Sequence, residues 1–243
     1  MEMTRRNLIV AGAAASAVGT VITSANITAT AAEPVAGTPG KSKLTADQAL
    51  ERLKEGNRRF VADMPNPSDI SRKTRLAVAK GQGPFAALIG CADSRVGPEH
   101  LFEAGLGELF IVRTAGNYVD TAGLGSIEYA VGVLGVPLIV VLGHERCGAV
   151  AAAVDVITKN TQFPGSIGSM VEPILPSVVQ AQAKLKSGED LVDASIRANV
   201  ARVTNRLRTS SEPILLDPIK AGRVKVVGAT YDLDTGAVEF FDV

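Results

Sequence analysis

The chain has 243 residues, 46% of them hydrophobic, and its 25 basic and 25 acidic side chains leave a formal charge of zero. This length suits one domain with appendages, and the apolar fraction is large enough for a sizeable buried core. A near-neutral chain without a basic cluster argues against a nucleic-acid partner.

Residues 1–31 have the features of an export signal. Arg5 and Arg6 stand before an alanine-rich apolar stretch, and an A-x-A cleavage site follows at 29–31. The arginine pair resembles the twin-arginine signal that exports folded proteins, so we expect a periplasmic, cell-envelope or secreted protein. An uncleaved membrane anchor is the alternative for this segment.

Residues 32–43 are rich in Pro, Gly and Ser and form a predicted linker to a domain at 44–243. The domain opens with "LTADQALERLKEGNRRF", in which Thr45 and Gln48 form a capping-box pattern and the leucines follow a helical period. No segment of the domain has ~18 unbroken apolar residues, so we expect no membrane contact after signal cleavage.

The rest of the domain alternates between strand-like and helix-like patterns. Three short runs are nearly all apolar, as strands covered on both faces are: 85–90, 109–113 and 137–143. Helical patterns occupy 125–135, 147–159 and 172–210, and the C-terminal segment predicts a hairpin that turns at 234–236. Such alternation predicts an α/β fold with a parallel sheet.

Two of the predicted strands end in residues that bind metals. "FAALIG" is followed by Cys91 and Asp93, and "PLIVVLG" is followed by His144 and Cys147. In open parallel sheets, ligands gather beyond the carboxyl ends of the strands, so these four side chains can reach one point. Two thiolates, an imidazole and a carboxylate are a plausible tetrahedral zinc set.

Two other interpretations of these residues stay open. A disulfide between the two cysteines is the usual pairing in an exported protein, but it does not call for Asp93, Arg95 or His144. A purely structural zinc site uses four permanent ligands, whereas Asp93 has Arg95 two residues away as a competing partner. If Arg95 holds the carboxylate, zinc keeps an open position for water. If Asp93 binds zinc, that water is lost.

The motifs "CADSRV" and "GHERCGA" together resemble the β-class carbonic anhydrases, and the resemblance runs from about Leu44 to Phe241. It includes "LKEGNRRF", "GQGPFAALIGCADSR", "GELFIVRTAGN", "GSIEYAV" and "GATYDLDTG". It implies a four-stranded parallel sheet with an antiparallel edge strand and flanking helices. It also implies reversible hydration of carbon dioxide to bicarbonate and a proton, by a homodimer or homotetramer with active sites near the subunit interface.

By this resemblance, Cys91, His144 and Cys147 are the permanent ligands of one Zn²⁺ per chain, and Asp93 and Arg95 are the catalytic carboxylate–guanidinium pair beside it. Zinc lowers the pKa of its bound water to about 7, which makes hydroxide available to attack CO₂ near neutral pH. Asp93, ionised against Arg95, would accept a hydrogen bond from the zinc-bound oxygen and orient it. The same carboxylate is the fourth metal ligand when it swings onto zinc.

The resemblance also implies five substrate-binding residues. Gln82 matches an amide that hydrogen-bonds a substrate oxygen, and the Gly148 N–H lies just past a ligand cysteine. Phe110 and Tyr129 match apolar-pocket positions, with ordinary core packing as the alternative. Ala115 replaces a larger aliphatic residue, so we expect a roomier pocket mouth, which leaves carbonyl sulfide or carbon disulfide open as substrates.

Two functions of different class remain. The first is a zinc lyase that interconverts CO₂ and bicarbonate, and the second is a non-catalytic protein of the same fold that binds zinc or bicarbonate. The Asp93–Arg95 pair favours the enzyme, since a pure binder has no need to hold a metal position open.

One property of part of the family is not matched. A regulatory bicarbonate is held there by a Trp, an Arg and a Tyr; Arg113 and Tyr231 fit, but Leu88 stands at the Trp position. The sequence therefore argues against such a pocket. His100, the only other histidine, is either a solvent-facing helix residue or a proton shuttle.

Overall fold

The computed structural model describes residues 42–64 and 70–241 of the chain. The predicted export signal at 1–31 and most of the predicted linker at 32–43 lie outside the described residues. Across the described ranges, no helix has both the length and the hydropathy that crossing a bilayer requires.

Five strands of the described residues form one sheet in the order β2-β1-β3-β4-β5. Their bounds are β1 Ala86–Cys91, β2 Leu109–Thr114, β3 Leu138–His144, β4 Lys225–Tyr231 and β5 Val238–Phe241. The first four strands run parallel, and β5 runs antiparallel to β4. The predicted sheet is therefore confirmed, including the three apolar runs and the C-terminal hairpin.

Helices pack on both faces of this sheet. Within the described residues they are α1 Ala46–Val61, α2 Arg72–Val78, α3 Pro98–Leu101, α4 Thr121–Gly132, α5 Gly148–Lys159, α6 Ser166–Val171, α7 Leu175–Lys184, α8 Leu191–Arg208 and α9 Pro213–Lys220. The capping box predicted for α1 is confirmed. The Thr45 hydroxyl accepts from the Gln48 N–H at 3.3 Å, and the Gln48 side chain accepts from the Thr45 N–H at 2.9 Å.

Four helices have no counterpart among the predicted elements: α2, α3, α6 and α9. They have 7, 4, 6 and 8 residues, too few for a 3.6-residue period to repeat clearly. The helical pattern predicted for 172–210 contains two separate helices, α7 and α8, with a break at 185–190. Asp190 caps the start of α8, because its carboxylate accepts hydrogen bonds from two backbone N–H groups of the first turn.

The core lies on both faces of the sheet, because successive side chains of a strand point to opposite sides. Ala87 and Ile89 pack in a cluster with residues of α4, α8 and α9, whereas Ala86 and Leu88 pack with residues of α1 and α3. A third cluster contains the two cysteines together with apolar residues of α5, α7 and α8. The carboxyl ends of β1 and β3 are therefore fixed by packing from the helices around them.

Candidate metal centre

Three of the four predicted metal ligands lie together at the carboxyl edge of the sheet. Cys91 is the last residue of β1, His144 is the last residue of β3, and Cys147 immediately precedes α5. One sulfur or nitrogen atom from each lies within 4.8 Å of the other two. The neighbouring parallel strands β1 and β3 bring Cys91 and His144 together, and the turn after β3 places Cys147 beside them.

The His144 ring is oriented to offer one nitrogen to this group. Its Nδ1 lies 2.8 Å from the carbonyl oxygen of Glu145, so a proton on Nδ1 donates to that carbonyl and leaves a lone pair on Nε2. The residue is only 1% exposed, and within the described part of the chain Nε2 has no hydrogen-bond partner. A buried nitrogen of this kind calls for a partner, and a metal ion supplies one.

The two cysteines are free, with their sulfur atoms 3.9 Å apart, well beyond the roughly 2.05 Å of a disulfide bond. Hydrogen bonds from Cys147 and from the Gly116 N–H lower the pKa of Cys91, whereas the hydrogen bond to Cys91 and burial raise the pKa of Cys147. These opposite shifts favour ionisation of Cys91 before Cys147. A second thiolate at this distance costs about 4 kcal/mol of repulsion, which a bound cation removes. The donor set fits Zn²⁺.

Asp93 and Arg95 form a bidentate ion pair beside the three ligands. Arg95 donates through Nε to Oδ1 of Asp93 at 2.9 Å and through Nη2 to Oδ2 at 2.7 Å. The guanidinium holds the pKa of Asp93 well below its usual range, so the carboxylate is ionised at neutral pH. Asp93 Oδ2 lies 3.9 Å from His144 Nε2, at the margin of the ligand group. In this structure Asp93 is bound to Arg95, and its role as a fourth metal ligand stays a prediction.

Arg113, on the edge strand β2, fixes the backbone of the segment 91–93. Its Nε donates to the carbonyl oxygen of Cys91 at 2.8 Å, and its Nη2 donates to the carbonyl oxygen of Asp93 at 2.6 Å. No local sequence pattern marks these contacts, which depend on the register that pairs Gly90 with Arg113. Arg113 is thus committed to two carbonyls, and Leu88, within β1, is fully buried.

Two of the predicted substrate-binding residues border the ligands of their own chain. Ala115 directly follows Thr114, which pairs with Cys91 in the β1–β2 register. Gly148 is the first residue of α5, next to Cys147, and a Cβ built on it would meet no atom within 4 Å. The space on the Cβ side of Gly148 is therefore open.

The other predicted pocket residues lie away from the ligands of their own chain. Phe110 and Tyr129 are neighbours, with ring centroids 6.3 Å apart, and Tyr129 is 38% exposed. Phe110 is four residues before the strand position that faces Cys91, which is about 13 Å along β2. Gln82 is half-buried in the segment that enters β1 from its amino end. His100 is exposed on the short helix α3.

Comparison with known proteins gives one consistent result. A family model described as "Carbonic anhydrase" matches residues 86–238. Carbonic anhydrase 2 of Mycobacterium tuberculosis is 46% identical over 188 residues, which cover 77% of this chain and 89% of that protein. The carbonic anhydrase of Mycolicibacterium smegmatis is 42% identical over 191 residues, which cover 79% of this chain and 91% of that protein.

Solved structures agree with the sequence relatives. The β-carbonic anhydrase of Coccomyxa, in complex with acetazolamide, is 31% identical with a TM-score of 0.61, covering 78% of this chain and 85% of that one. A structure from a study of two tetrameric β-carbonic anhydrases of Sordaria macrospora is 26% identical with a TM-score of 0.62. That match covers 70% of this chain and 86% of the other. The likeness therefore spans the sheet and the metal-binding edge.

Proposed function

The chain belongs to the β-class carbonic anhydrases, and on this premise we propose that Cys91, His144 and Cys147 hold its zinc ion. The enzyme hydrates carbon dioxide reversibly to bicarbonate and a proton. The observation that carries the ligand assignment is the buried group of two free thiols and one imidazole, whose Nε2 lacks a partner among the described residues. These donors are the types that catalytic zinc sites use, three from the protein.

Zinc held by these residues supplies a Lewis acid that makes water a nucleophile near neutral pH. Asp93 orients that water. Because Arg95 keeps the carboxylate ionised, Asp93 accepts a hydrogen bond and does not donate one. Its Oδ2, held by Arg95 at 2.7 Å, would accept a hydrogen bond from the attacking water and so direct an oxygen lone pair at the carbon of CO₂. Arg95 is itself anchored, because Nη2 also donates to the carbonyl oxygen of Arg146 at 3.3 Å.

Gly148 offers a backbone donor to the oxygen atoms of the substrate. The first N–H groups of a helix have no partner inside the helix, and Gly148 opens α5 beside a ligand cysteine. The absence of a side chain leaves room for CO₂ or bicarbonate to approach this N–H. Charge that develops on a substrate oxygen is therefore met by a fixed dipole.

Stopped-flow CO₂ hydration with metal analysis of the same sample tests this function. We expect rapid hydration by protein that contains one zinc per chain and two free thiols after metal removal. Zinc or bicarbonate binding without turnover would instead identify a non-catalytic binding protein. Hydrolysis of carbonyl sulfide or carbon disulfide in place of CO₂ hydration would identify a different substrate. The small side chain of Ala115 would then be what admits it to the pocket.

A second copy of the chain covering β2 would complete the substrate pocket, and we therefore include a homodimer or homotetramer in the proposal. The related Sordaria macrospora enzymes are described as tetrameric. Here β2 is a half-buried edge strand, and an edge with apolar side chains beside it favours association. Phe110 and the exposed Tyr129 lie on this side, too far to line the site of their own chain.

Replacing Tyr129 by arginine should break this association, since a desolvated guanidinium at the interface would have no partner. Light scattering of the full-length wild-type protein should give two or four times the chain mass of 25.2 kDa. The full-length Tyr129→Arg protein should give the mass of a single chain. Val179→Arg, at a similarly exposed apolar position on α7, is the matched control and should leave the mass unchanged. A monomeric native protein with full CO₂ hydration would contradict the assembly.

Export by a twin-arginine route is also part of the proposal, and it is supported by the order of residues before the domain. Arg5 and Arg6 precede an apolar stretch and an A-x-A site. Zinc thiolates assemble more easily in a reducing cytosol, before disulfide-forming enzymes can reach Cys91 and Cys147. A route that carries folded protein suits this chemistry.

Changing both Arg5 and Arg6 to lysine should therefore leave the protein in the cytoplasm. Cell fractionation with zinc analysis measures the result. Arg72→Lys with Arg223→Lys is the matched control, because it makes the same chemical change at two exposed positions of the domain. Normal export of the Arg5/Arg6 variant would contradict the route.

A further inference from the structure

Asn199 is a buried polar residue on α8 that the zinc chemistry described above does not use. It is 2% exposed, and its neighbours on the helix, including Val200 and Val203, belong to the apolar core. Burying an amide costs free energy unless its donor and acceptor are both paired, so an aliphatic side chain would suit a position that serves packing alone. The partners of Asn199 indicate why an amide stands here.

These partners form a chain of hydrogen bonds that ends on a metal ligand. The Ser177 hydroxyl, on α7, donates to Oδ1 of Asn199 at 3.3 Å, and Nδ2 of Asn199 donates to the carbonyl oxygen of Gly116 at 2.8 Å. The N–H of Gly116 in turn donates to Sγ of Cys91 at 3.3 Å. Ser177 is fully buried, so water does not readily replace the partners in this series of hydrogen bonds.

Gly116 needs such a clamp because of its own geometry. Its φ of +74° lies in the left-handed region, and a Cβ at this position would lie 2.6 Å from Cδ1 of Ile174. Only glycine fits, but glycine is also the residue that leaves the two flanking peptide planes freest to rotate. The hydrogen bond from Asn199 holds the peptide after Gly116, and thereby limits rotation of the N–H on the other side of the same Cα.

We propose that Asn199 is a positioning residue of the metal centre, which aims the Gly116 N–H at the Cys91 sulfur through the Gly116 carbonyl. This inference rests on the proposed zinc site. A hydrogen bond to a ligating sulfur stabilises its lone pairs and fixes its direction, and groups behind the ligands commonly change metal affinity by about 10- to 100-fold. The hydrogen bond from the Ser177 hydroxyl to Oδ1 fixes the orientation of the Asn199 amide, so that Nδ2 faces the Gly116 carbonyl.

The test compares Asn199→Ala and Asn199→Asp with the wild type in the full-length protein. Each protein is loaded with Co²⁺ for absorption spectroscopy and with Zn²⁺ for release to a chelator, and folding is checked by circular dichroism. We expect the sulfur-to-cobalt charge-transfer band to move to longer wavelength, because the sulfur lone pairs lose a stabilising hydrogen bond. Zinc release should be about 10-fold faster.

Thr204→Val is the matched control. Thr204 lies on the same helix, is fully buried, and its hydroxyl finds no hydrogen-bond partner in the described ranges. This variant should keep the wild-type band and release rate. Ser177→Ala should change both in the same direction as the Asn199 variants by a smaller amount, about threefold in release, and it decides the matter if those variants do not fold.

The possible failures are distinguishable. A folded Asn199→Ala protein with the wild-type band and release rate would overturn the positioning role. So would an equal change in Thr204→Val, which would show a general effect of altering α8. A wild-type cobalt protein without any sulfur charge-transfer band would instead reject the proposed ligands themselves.

Discussion

Alanine in place of His144 or Cys147 is expected to abolish zinc binding and CO₂ hydration together. A catalytic zinc site with three protein ligands has none to spare, because two donors leave the ion too weakly held at neutral pH. Both residues are 1% exposed, so water reaches the altered site poorly as a replacement ligand. Metal analysis should find less than one tenth of the wild-type zinc, and stopped-flow traces should match the uncatalysed reaction.

His100→Ala provides the control for zinc content, since it removes the only other imidazole of the chain. His100 is exposed on α3, and its loss should leave one zinc per chain. Full activity with bound zinc in either His144→Ala or Cys147→Ala would show that the metal lies elsewhere.

Arg95→Ala and Arg95→Lys are both expected to keep zinc and to lose CO₂ hydration by on the order of 100-fold. Without the guanidinium, Asp93 keeps the hydrogen bond from the backbone N–H of residue 95 to Oδ1, but its Oδ2 loses its cationic partner and lies 3.9 Å from the nitrogen that His144 offers to the metal. It should turn to the cation and block the position that the attacking water needs. Lysine cannot reproduce the two parallel hydrogen bonds of Arg95, so the conservative change should fail as well. Activity and zinc content of the same preparations measure the effect.

Asp234→Asn is the matched control for Arg95. Asp234 accepts a similar bidentate pair from Arg146, at 2.8 and 2.9 Å, but its side chain is 72% exposed and is not one of the proposed metal ligands. An exposed pair contributes little, so this variant should hydrate CO₂ at close to the wild-type rate. Wild-type activity in zinc-loaded Arg95→Ala would contradict the control of the site by the Asp93–Arg95 pair.

Much of the fold could be predicted because local patterns and the final structure agree. The capping box of Thr45 and Gln48 lies within one turn, and the apolar runs that become β1 and β3 end one residue before the proposed ligands Cys91 and His144. Since parallel strands place their carboxyl ends at one edge, the meeting of these proposed ligands could be expected once both strands are placed in one parallel sheet.

The contacts behind the ligands could not be predicted in this way. Arg113 acts on backbone carbonyls, which carry no sequence signature, and Asn199 reaches Gly116 across 83 positions of the chain. Both contacts depend on which helix or strand packs beside β1, and periodicity does not specify that. Arg146 has a left-handed backbone, with φ of 51°, which turns Cys147 back toward His144. The residues of "GHERCGA" do not predict this conformation.

The role of the predicted pocket residues Phe110 and Tyr129 could not be derived from the sequence for a different reason. Phe110 and Tyr129 match pocket positions by resemblance, yet in one chain Phe110 lies about 13 Å along β2 from the position facing Cys91, and Tyr129 on α4 packs beside Phe110. A sequence describes one chain, so it carries no direct sign of which surface a second copy covers. Their predicted role therefore depends on the assembly measurement.

X-ray absorption at the zinc edge of the purified wild-type protein tests the metal centre most directly. With Cys91, His144 and Cys147 as ligands, the spectrum should contain two sulfur atoms at about 2.3 Å and imidazole nitrogen at about 2.0–2.1 Å, with one zinc per chain. A zinc shell of oxygen and nitrogen without sulfur, or active zinc-free protein in which Cys91 is joined to Cys147, would contradict it.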